Sequence, residues 1–359
     1  MKISRRDFLK VTGLLTTTNL LAYSYGLWRS PPPSPLGPTT PYLNGPLSWP
    51  IFRPPYFQEN ANIAALLFPA NKTKLTTLCD QYLNPNPNPL YHYQPLSGHI
   101  LLTCADMWIS SLHPQDQAKG RLREAEVGFW LLTMVSKRVN GRYLPHHLAW
   151  FLPYLLVDNE AAIATGRELY GFNKLHARIA TSDHIWQPHW QVDVMGIDQF
   201  KPTAIAQQYP LLTLDCPACP PTPTTPTQWT NWGTAQQALT QHLLTTTPPS
   251  SDNQDSLALL TQLLNNQTPL LFRKQIRHPT NSDQAAYQAL IEAPLTVNNF
   301  HAGGDLPANY QLNLQALDSH PIATTLGLAS TTPNKPIFAV WLQLDFTLGH
   351  GQEINRSTP

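Results

Sequence analysis

The sequence predicts a mainly β, α+β fold: a closed antiparallel β-barrel with flanking helices and a helical insertion. Three observations predict it. Strand-like apolar runs are short and bounded by Gly, Pro and Asn, at His99–Leu102, Val127–Val135, His189–Val194, Leu270–Ile276, Ala293–Val297, Tyr310–Leu314 and Ile337–Phe346. Apolar positions at helical spacing are concentrated in two neighbouring segments, Ala235–Leu244 and Leu257–Leu264. The 359 residues are 42% hydrophobic and 13% charged and include 36 prolines, so core material is ample while long regular elements are interrupted. Many short strands with few long helices bury their apolar faces in a sandwich or a closed barrel.

Along the chain, Ser4-Arg5-Arg6-Asp7-Phe8-Leu9-Lys10 has the twin-arginine form, and Val11–Ala22 is a weakly apolar run broken by Gly13 and by threonines. That run is too short and too polar to span a membrane comfortably, and after a basic start it reads as a Tat signal peptide over residues 1–24. The expectation is passage through the Tat translocase to the periplasm or another extracytoplasmic space, with cleavage at Ala22-Tyr23-Ser24 or, as the alternative, an uncleaved leader serving as a membrane anchor. Residues 25–56, with Pro31-Pro32-Pro33, read as an extended tether. Residues 57–350 form the body, and 351–359 a tail. Within the body, 216–265 reads as an insertion, opening on Cys216-Pro217 and carrying both helical segments. If it only decorates the body, a short linker should replace it at little cost, because loop-closure entropy changes slowly with length.

Asp158-Asn159-Glu160-Ala161-Ala162-Ile163-Ala164-Thr165-Gly166-Arg167-Glu168-Leu169, followed by Lys174, is the most specific stretch of the sequence. It resembles the signature D-N-E-x-A-I-A-x-G-R-E-L of the acetoacetate decarboxylase family, in which a lysine pair follows a proline. Lys174 falls at the family's imine-forming lysine, Asn173 replaces the proline and Leu175 replaces the second lysine. Further matches are Leu67-Phe68-Pro69-Ala70-Asn71, Asn140-Gly141-Arg142-Tyr143, Phe272–Ile276, Ala286–Val297 and Phe338–Gly349, so the resemblance covers roughly residues 57–350. It implies the family's β-barrel with flanking helices, assembly into oligomers, and Schiff-base lyase or decarboxylase chemistry on a small keto acid.

That chemistry needs a neutral amine, whereas an ordinary lysine is protonated at neutral pH. With Leu175 in place of the second lysine, burial among Phe172, Leu175 and the barrel interior is the remaining device. The resemblance makes Glu124 the candidate for proton transfer, with Glu126 as its alternative, while the family's other glutamate falls near Asp106. Arg167 and Glu168 are assigned to substrate binding or to bracing the loop that presents Lys174. The family's carboxylate-holding arginine has no counterpart in Glu59–Asn62, which weakens acetoacetate itself as the substrate. Two other classes stay open: a non-catalytic barrel holding a small apolar ligand, and a structural protein that meets a partner through 216–265.

Without residues 1–24 the chain carries 19 basic and 21 acidic residues, a formal charge of −2, and no clustered basic stretch, which excludes nucleic-acid binding. Cys216 and Cys219 have C-x-x-C spacing with no second pair, so a local disulfide is expected ahead of a metal site. His146-His147, on a strand, are expected to point to opposite faces. No cofactor and no metal site are assigned.

Overall fold

The computed structural model describes residues 42, 52–85, 89–181, 189–219, 228–246, 268–307 and 309–356. The leader, most of the tether and the segment Leu257–Leu264 lie outside them. The chain divides into the units Met1–Leu43 and Asn44–Pro359, and every element below belongs to the second.

In chain order these are β1 (Tyr56–Pro69), α1 (Lys72–Tyr82), β2 (Tyr91–Pro95), β3 (His99–Ser111), β4 (Arg121–Val139), β5 (Arg142–Val157), α2 (Glu160–Leu169), β6 (Lys174–His176) and β7 (Arg178–Thr181). They continue with β8 (Trp190–Gly196), β9 (Gln207–Asp215), α3 (Trp232–Thr246), β10 (Leu270–Arg277), β11 (Ala285–Ala293), β12 (Leu295–Leu306), β13 (Gln311–Leu314), α4 (Ile322–Leu326), β14 (Phe338–Leu348) and β15 (Gln352–Arg356). The fold is mainly β, as expected from the short apolar runs.

One sheet has the order β12-β14-β1-β3-β4-β5-β10-β11-β15, with β2 on β4 and β6 on β5; a smaller sheet has the order β13-β9-β8-β7. The expected closed barrel is not what this path describes, because its end strands β12 and β15 do not pair with each other. The physical reason is a bend. Pro294, which has no N–H to give a ladder, splits the expected strand Ala293–Val297 into β11 and β12, and its carbonyl accepts from Gly349 N at 2.8 Å. On one side of the bend β12 pairs β14, Leu295 opposite Leu348, and on the other β11 pairs β15, Glu292 opposite Gln352. Residues 352–356, expected as a tail, are therefore an edge strand.

Sequence chemistry fixes the turns. Asn140 and Gly141 both have positive φ, 49° and 81°, the backbone of a tight two-residue hairpin joining β4 to β5. Asn71 caps α1 by accepting from Lys74 N at 3.1 Å.

The period of two along the strands sorts side chains between two environments. Ala64, Leu66 and Phe68 of β1, Ile100, Leu102 and Cys104 of β3, and Val127, Phe129 and Leu131 of β4 face the main core, which α1, α4 and the smaller sheet complete. Burying each such large side chain contributes roughly 1.5–3 kcal/mol. The alternate residues, Ile63, Ala65, Leu101, Thr103, Ala105, Glu124 and Glu126, face a cavity on the other side.

Cys216 and Cys219 form a disulfide with Cα atoms 5.3 Å apart, while Cys79 and Cys104 are buried free thiols. His146 and His147 do not part to opposite faces. A register shift between Val135 and Ser136 on the partner strand makes His146 a bulge residue, and the two Nδ1 atoms come within 2.6 Å. His147 also pairs with Glu292 at 2.8 Å.

Candidate active site

The motif Asp158–Lys174 leads from β5 into β6 and is hydrogen-bonded to β4 on the way. Its central part, expected as a loop, is the helix α2. Asn159 caps that helix, its Oδ1 accepting from Ala161 N at 3.0 Å and Ala162 N at 3.2 Å, and Glu160 in the first turn suits the helix dipole. The same Asn159 donates from Nδ2 to Arg123 O at 2.8 Å, and Asp158 Oδ1 accepts from Ala125 N at 2.8 Å. The two motif residues thus grip the β4 backbone immediately before and after Glu124.

At the other end of α2 the N–H groups of Tyr170, Gly171 and Phe172 converge on Gly166 O at 3.1 to 3.2 Å. Gly171 makes this turn at φ 84°, where a Cβ would stand 2.4 Å from Lys274 Cα, so only glycine fits. The chain then enters β6, which runs parallel to β5 with Lys174 opposite Leu155. Strand alternation sends Phe172 and Lys174 inward and Asn173 outward, where its Nδ2 donates to Pro153 O at 2.7 Å.

Lys174 is 7% exposed and Glu124 is fully buried, and Nζ donates to Glu124 Oε1 at 2.6 Å. The ammonium also lies 5.2 Å from the centre of the Phe172 ring. Its stem runs across Gly166, whose missing Cβ would be 3.2 Å from Lys174 Cδ and Cε. Glu126, two residues along β4, shares the face of Glu124. Burial, and then the neighbouring Glu124, push its carboxyl up from 4.5 to about 8. The exposure that Glu126 retains is toward the cavity. The trio therefore sets on one wall of the cavity an amine, a carboxyl in contact with it and a second carboxyl whose protonated form burial favours, which is a nucleophile between two groups able to move protons. Glu124 Oε2 and Thr268 Oγ1, both lining the cavity, have no hydrogen-bond partner.

The cavity has a volume of about 340 Å³ and a predominantly apolar wall. Tyr56, Trp130, Trp150, Tyr170, Phe172 and Phe346 belong to its aromatic part, and Leu342 and Leu344 of β14 to its aliphatic side. Three residues of the insertion also line it: Trp232, Gln236 and Leu239 lie along one stripe of α3. Among the described residues of 216–265, α3 packs its apolar face on β1, β12 and β14 through Trp232, Ala235 and Leu239.

The structure brings Lys174 and Glu124 together and adds the alternative, Glu126. Arg167 and Glu168 are exposed and do not line this cavity; Arg167 lines a second one, of about 350 Å³, beyond Phe172. Asp106 faces away and pairs with Arg123 at 2.6 Å. Leu175, expected to help enclose the amine, packs into the main core on the other side of β6. No arginine lines the cavity among the described residues, in line with the missing arginine at Glu59–Asn62. The roles of Asp158, Asn159, Gly166 and Thr268 were not read from the sequence; the one available signal was the Glu-x-Glu spacing on a strand, which puts both carboxyls on one face. Among the described residues no group of His, Cys, Asp or Glu is arranged to hold a metal ion.

No protein-family model matches the sequence, and no curated protein matches it. Solved structures do. The acetoacetate decarboxylase of Legionella pneumophila subsp. pneumophila str. Philadelphia 1 superposes with a TM-score of 0.51 at 14% identity, over 89% of this chain and 93% of that one. A second acetoacetate decarboxylase structure gives a TM-score of 0.50 at 17% identity, over 86% of this chain and 93% of that one. At these identities the likeness is one of fold, and the fold of this chain is that of the acetoacetate decarboxylases.

Proposed function

We propose that this chain is a Schiff-base lyase in which Lys174 condenses with the carbonyl group of a small molecule held in the cavity. The observation that carries the reading is the 2.6 Å contact between Lys174 Nζ and Glu124 Oε1 at the wall of an apolar cavity of about 340 Å³. At that distance Glu124 can take a proton from the ammonium directly, freeing the lone pair that attacks the carbonyl carbon. The carbinolamine then loses water, its oxygen protonated by Glu126, and a protonated imine remains. Decarboxylation of a keto acid is the family's use of such an imine, and a related lyase step uses the same intermediate.

The test is reductive trapping. Incubation with a panel of ketones and keto acids plus borohydride should add ligand mass to the peptide containing Phe172–Arg178. Lys174→Ala and Lys174→Arg should give none, the latter because a guanidinium stays protonated and cannot attack. Wild-type protein that forms no adduct with any carbonyl compound overturns the reading. The second reading, a binding barrel with a retired site, is favoured by the absence of any arginine from the described residues of the cavity wall. It is the one left if Lys174→Ala binds ligands as tightly as the wild type while trapping fails.

Export through the Tat translocase belongs to the same proposal and rests on Arg5-Arg6 and the run Val11–Ala22. Joint Arg5→Lys and Arg6→Lys replacement should hold the chain in the cytoplasm of a Tat-competent host, and unchanged export would remove it. The homo-oligomer implied by the resemblance is checked by the mass of the purified protein in solution.

A further inference from the structure

Charge is scarce in the cavity, and what there is already balances. Among the described residues that line it, Lys174 is the one Lys, Arg or His, and Glu124 stands against it at 2.6 Å. Burial favours the protonated form of Glu126, and neither carboxyl leaves a cation to spare. Several polar groups that could greet an anion are engaged elsewhere. Tyr56 OH donates to Phe52 O and Tyr170 OH to Gly349 O, both at 2.7 Å, and Trp130 Nε1 donates to Thr103 Oγ1 at 2.6 Å. A carboxylate entering this space would lose its hydration and meet no unmatched cation, an expensive transfer. It would also approach the unpartnered Glu124 Oε2.

The wall opposes a short polar substrate as well. Away from Lys174 the cavity is bounded by Ile63, Leu101, Leu342, Leu344, Trp232 and Leu239. A volume of about 340 Å³ exceeds what a three- or four-carbon acid fills, and the remainder would be apolar space holding poorly bonded water.

Resting on the imine reading above, we infer that the compound taken by Lys174 is an uncharged ketone or aldehyde with an apolar chain, not a keto acid. The lone carbonyl oxygen turns toward Glu126 and the chain lies against β14 and α3. No carboxylate then sits β to the carbonyl, so carbon dioxide cannot be the leaving group. The step open to the protonated imine is loss of a proton from the adjacent carbon to Glu126, left as a carboxylate once it has protonated the departing oxygen. The C–H electron pair becomes the enamine double bond and the C=N pair returns to nitrogen, the opening of aldol-type chemistry.

A matched pair tests this. Methyl propyl ketone and levulinate differ only in whether the chain ends in a methyl or a carboxylate, and methyl hexyl ketone extends the apolar chain. Borohydride trapping on wild-type protein should reach half-maximum at a concentration lower by about tenfold or more for methyl propyl ketone than for levulinate, and lower again for methyl hexyl ketone. Equal or better trapping of levulinate, or carbon dioxide release from acetoacetate, overturns the inference while leaving the imine reading intact. If nothing is trapped, quenching of the cavity tryptophans by the same compounds separates the two claims. A preference for the ketones then keeps the ligand class and removes the imine, whereas equal binding of levulinate removes both.

Discussion

Lys174 Nζ and Glu124 Oε1 lie 2.6 Å apart inside the protein, although fifty positions separate them in the chain. Neither charge is tolerable there alone. Glu124→Ala should destabilise the fold by about 3–5 kcal/mol, because it leaves a buried ammonium without its partner. The double variant Glu124→Leu with Lys174→Met should recover more than half of that loss, since paired apolar groups replace paired charges. Urea denaturation of wild type, Glu124→Leu, Lys174→Met and the double variant closes the cycle. Additive effects would show that the contact is not an energetic one.

Glu124 is set in place from outside the cavity. Asn159→Ser keeps an oxygen that can cap α2 but is too short to reach Arg123 O. Stability should stay within about 1 kcal/mol of wild type, the size of a typical cap effect, while imine trapping slows at least several-fold. Asn159→Ala should lose both. If Asn159→Ser traps as fast as wild type, the grip on β4 has no part in positioning the carboxylate.

Glu126 gives a pH signature with a definite sign. Its carboxyl is raised from 4.5 in the unfolded chain to about 8 in the fold, so the folded state holds the extra proton between those values. The stability from that proton is fully present below about 4.5 and is lost as pH rises through about 8. Glu126→Gln, neutral at every pH, should flatten this fall in denaturation curves taken across that range. Imine formation in the wild type should decline over the same upper limb, as the acid that protonates the departing oxygen is removed. A wild-type profile as flat as that of Glu126→Gln would place the carboxyl in an ordinary environment.

The α3 helix is a wall of the site, so removal of the segment that carries it is expected to cost stability. Trp232 is half-buried, with its ring 5.8 Å from that of Phe300, so Trp232→Ala should cost about 1–3 kcal/mol and weaken apolar ligands more than it weakens the fold. Replacing residues 216–265 by a Gly/Ser linker should expose the cavity and raise binding of a hydrophobic dye. A linker variant as stable and as dye-silent as wild type would return the segment to the role of decoration.

The sequence carried local patterns faithfully and long-range ones poorly. Alternation marked stretches of β3, β4, β10 and β14, the motif pointed to Lys174, and a separate resemblance at Leu122-Arg123-Glu124 pointed to Glu124. The turn at Asn140-Gly141 and the Cys216–Cys219 bond were also legible, because each depends on neighbours in the chain. The grip of Asp158 and Asn159 on β4 spans more than thirty positions and leaves no periodic trace. The helix α2 hid in a familiar motif, with Asn159 as its unread cap. Leu175 was misplaced because which face of β6 meets the cavity depends on its pairing with β5. The amphipathic stripe of α3 was visible, but nothing local says which surface such a stripe covers.

Gly166 separates fold from function most cleanly. An alanine there adds a Cβ 3.2 Å from Lys174 Cδ and Cε and 3.3 Å from Phe172 Cδ2, atoms of side chains that can give way by a few tenths of an ångström. Removing a glycine from a helix favours the fold by up to about 1 kcal/mol, which offsets the crowding. Gly166→Ala should therefore melt close to wild type. The displaced lysine stem, however, carries Nζ away from Glu124, and trapping should slow by about tenfold, the effect of misplacing a reacting group by a fraction of its contact distance. Gly171→Ala is the control in the opposite sense. Its Cβ would meet Lys274 backbone atoms at 2.4 to 2.7 Å with φ at 84°, and the variant should lose more than about 2 kcal/mol of stability. If Gly166→Ala traps carbonyl compounds at the wild-type rate, the position of Lys174 against Glu124 does not limit imine formation, and the proton path between them has to be sought elsewhere in the cavity.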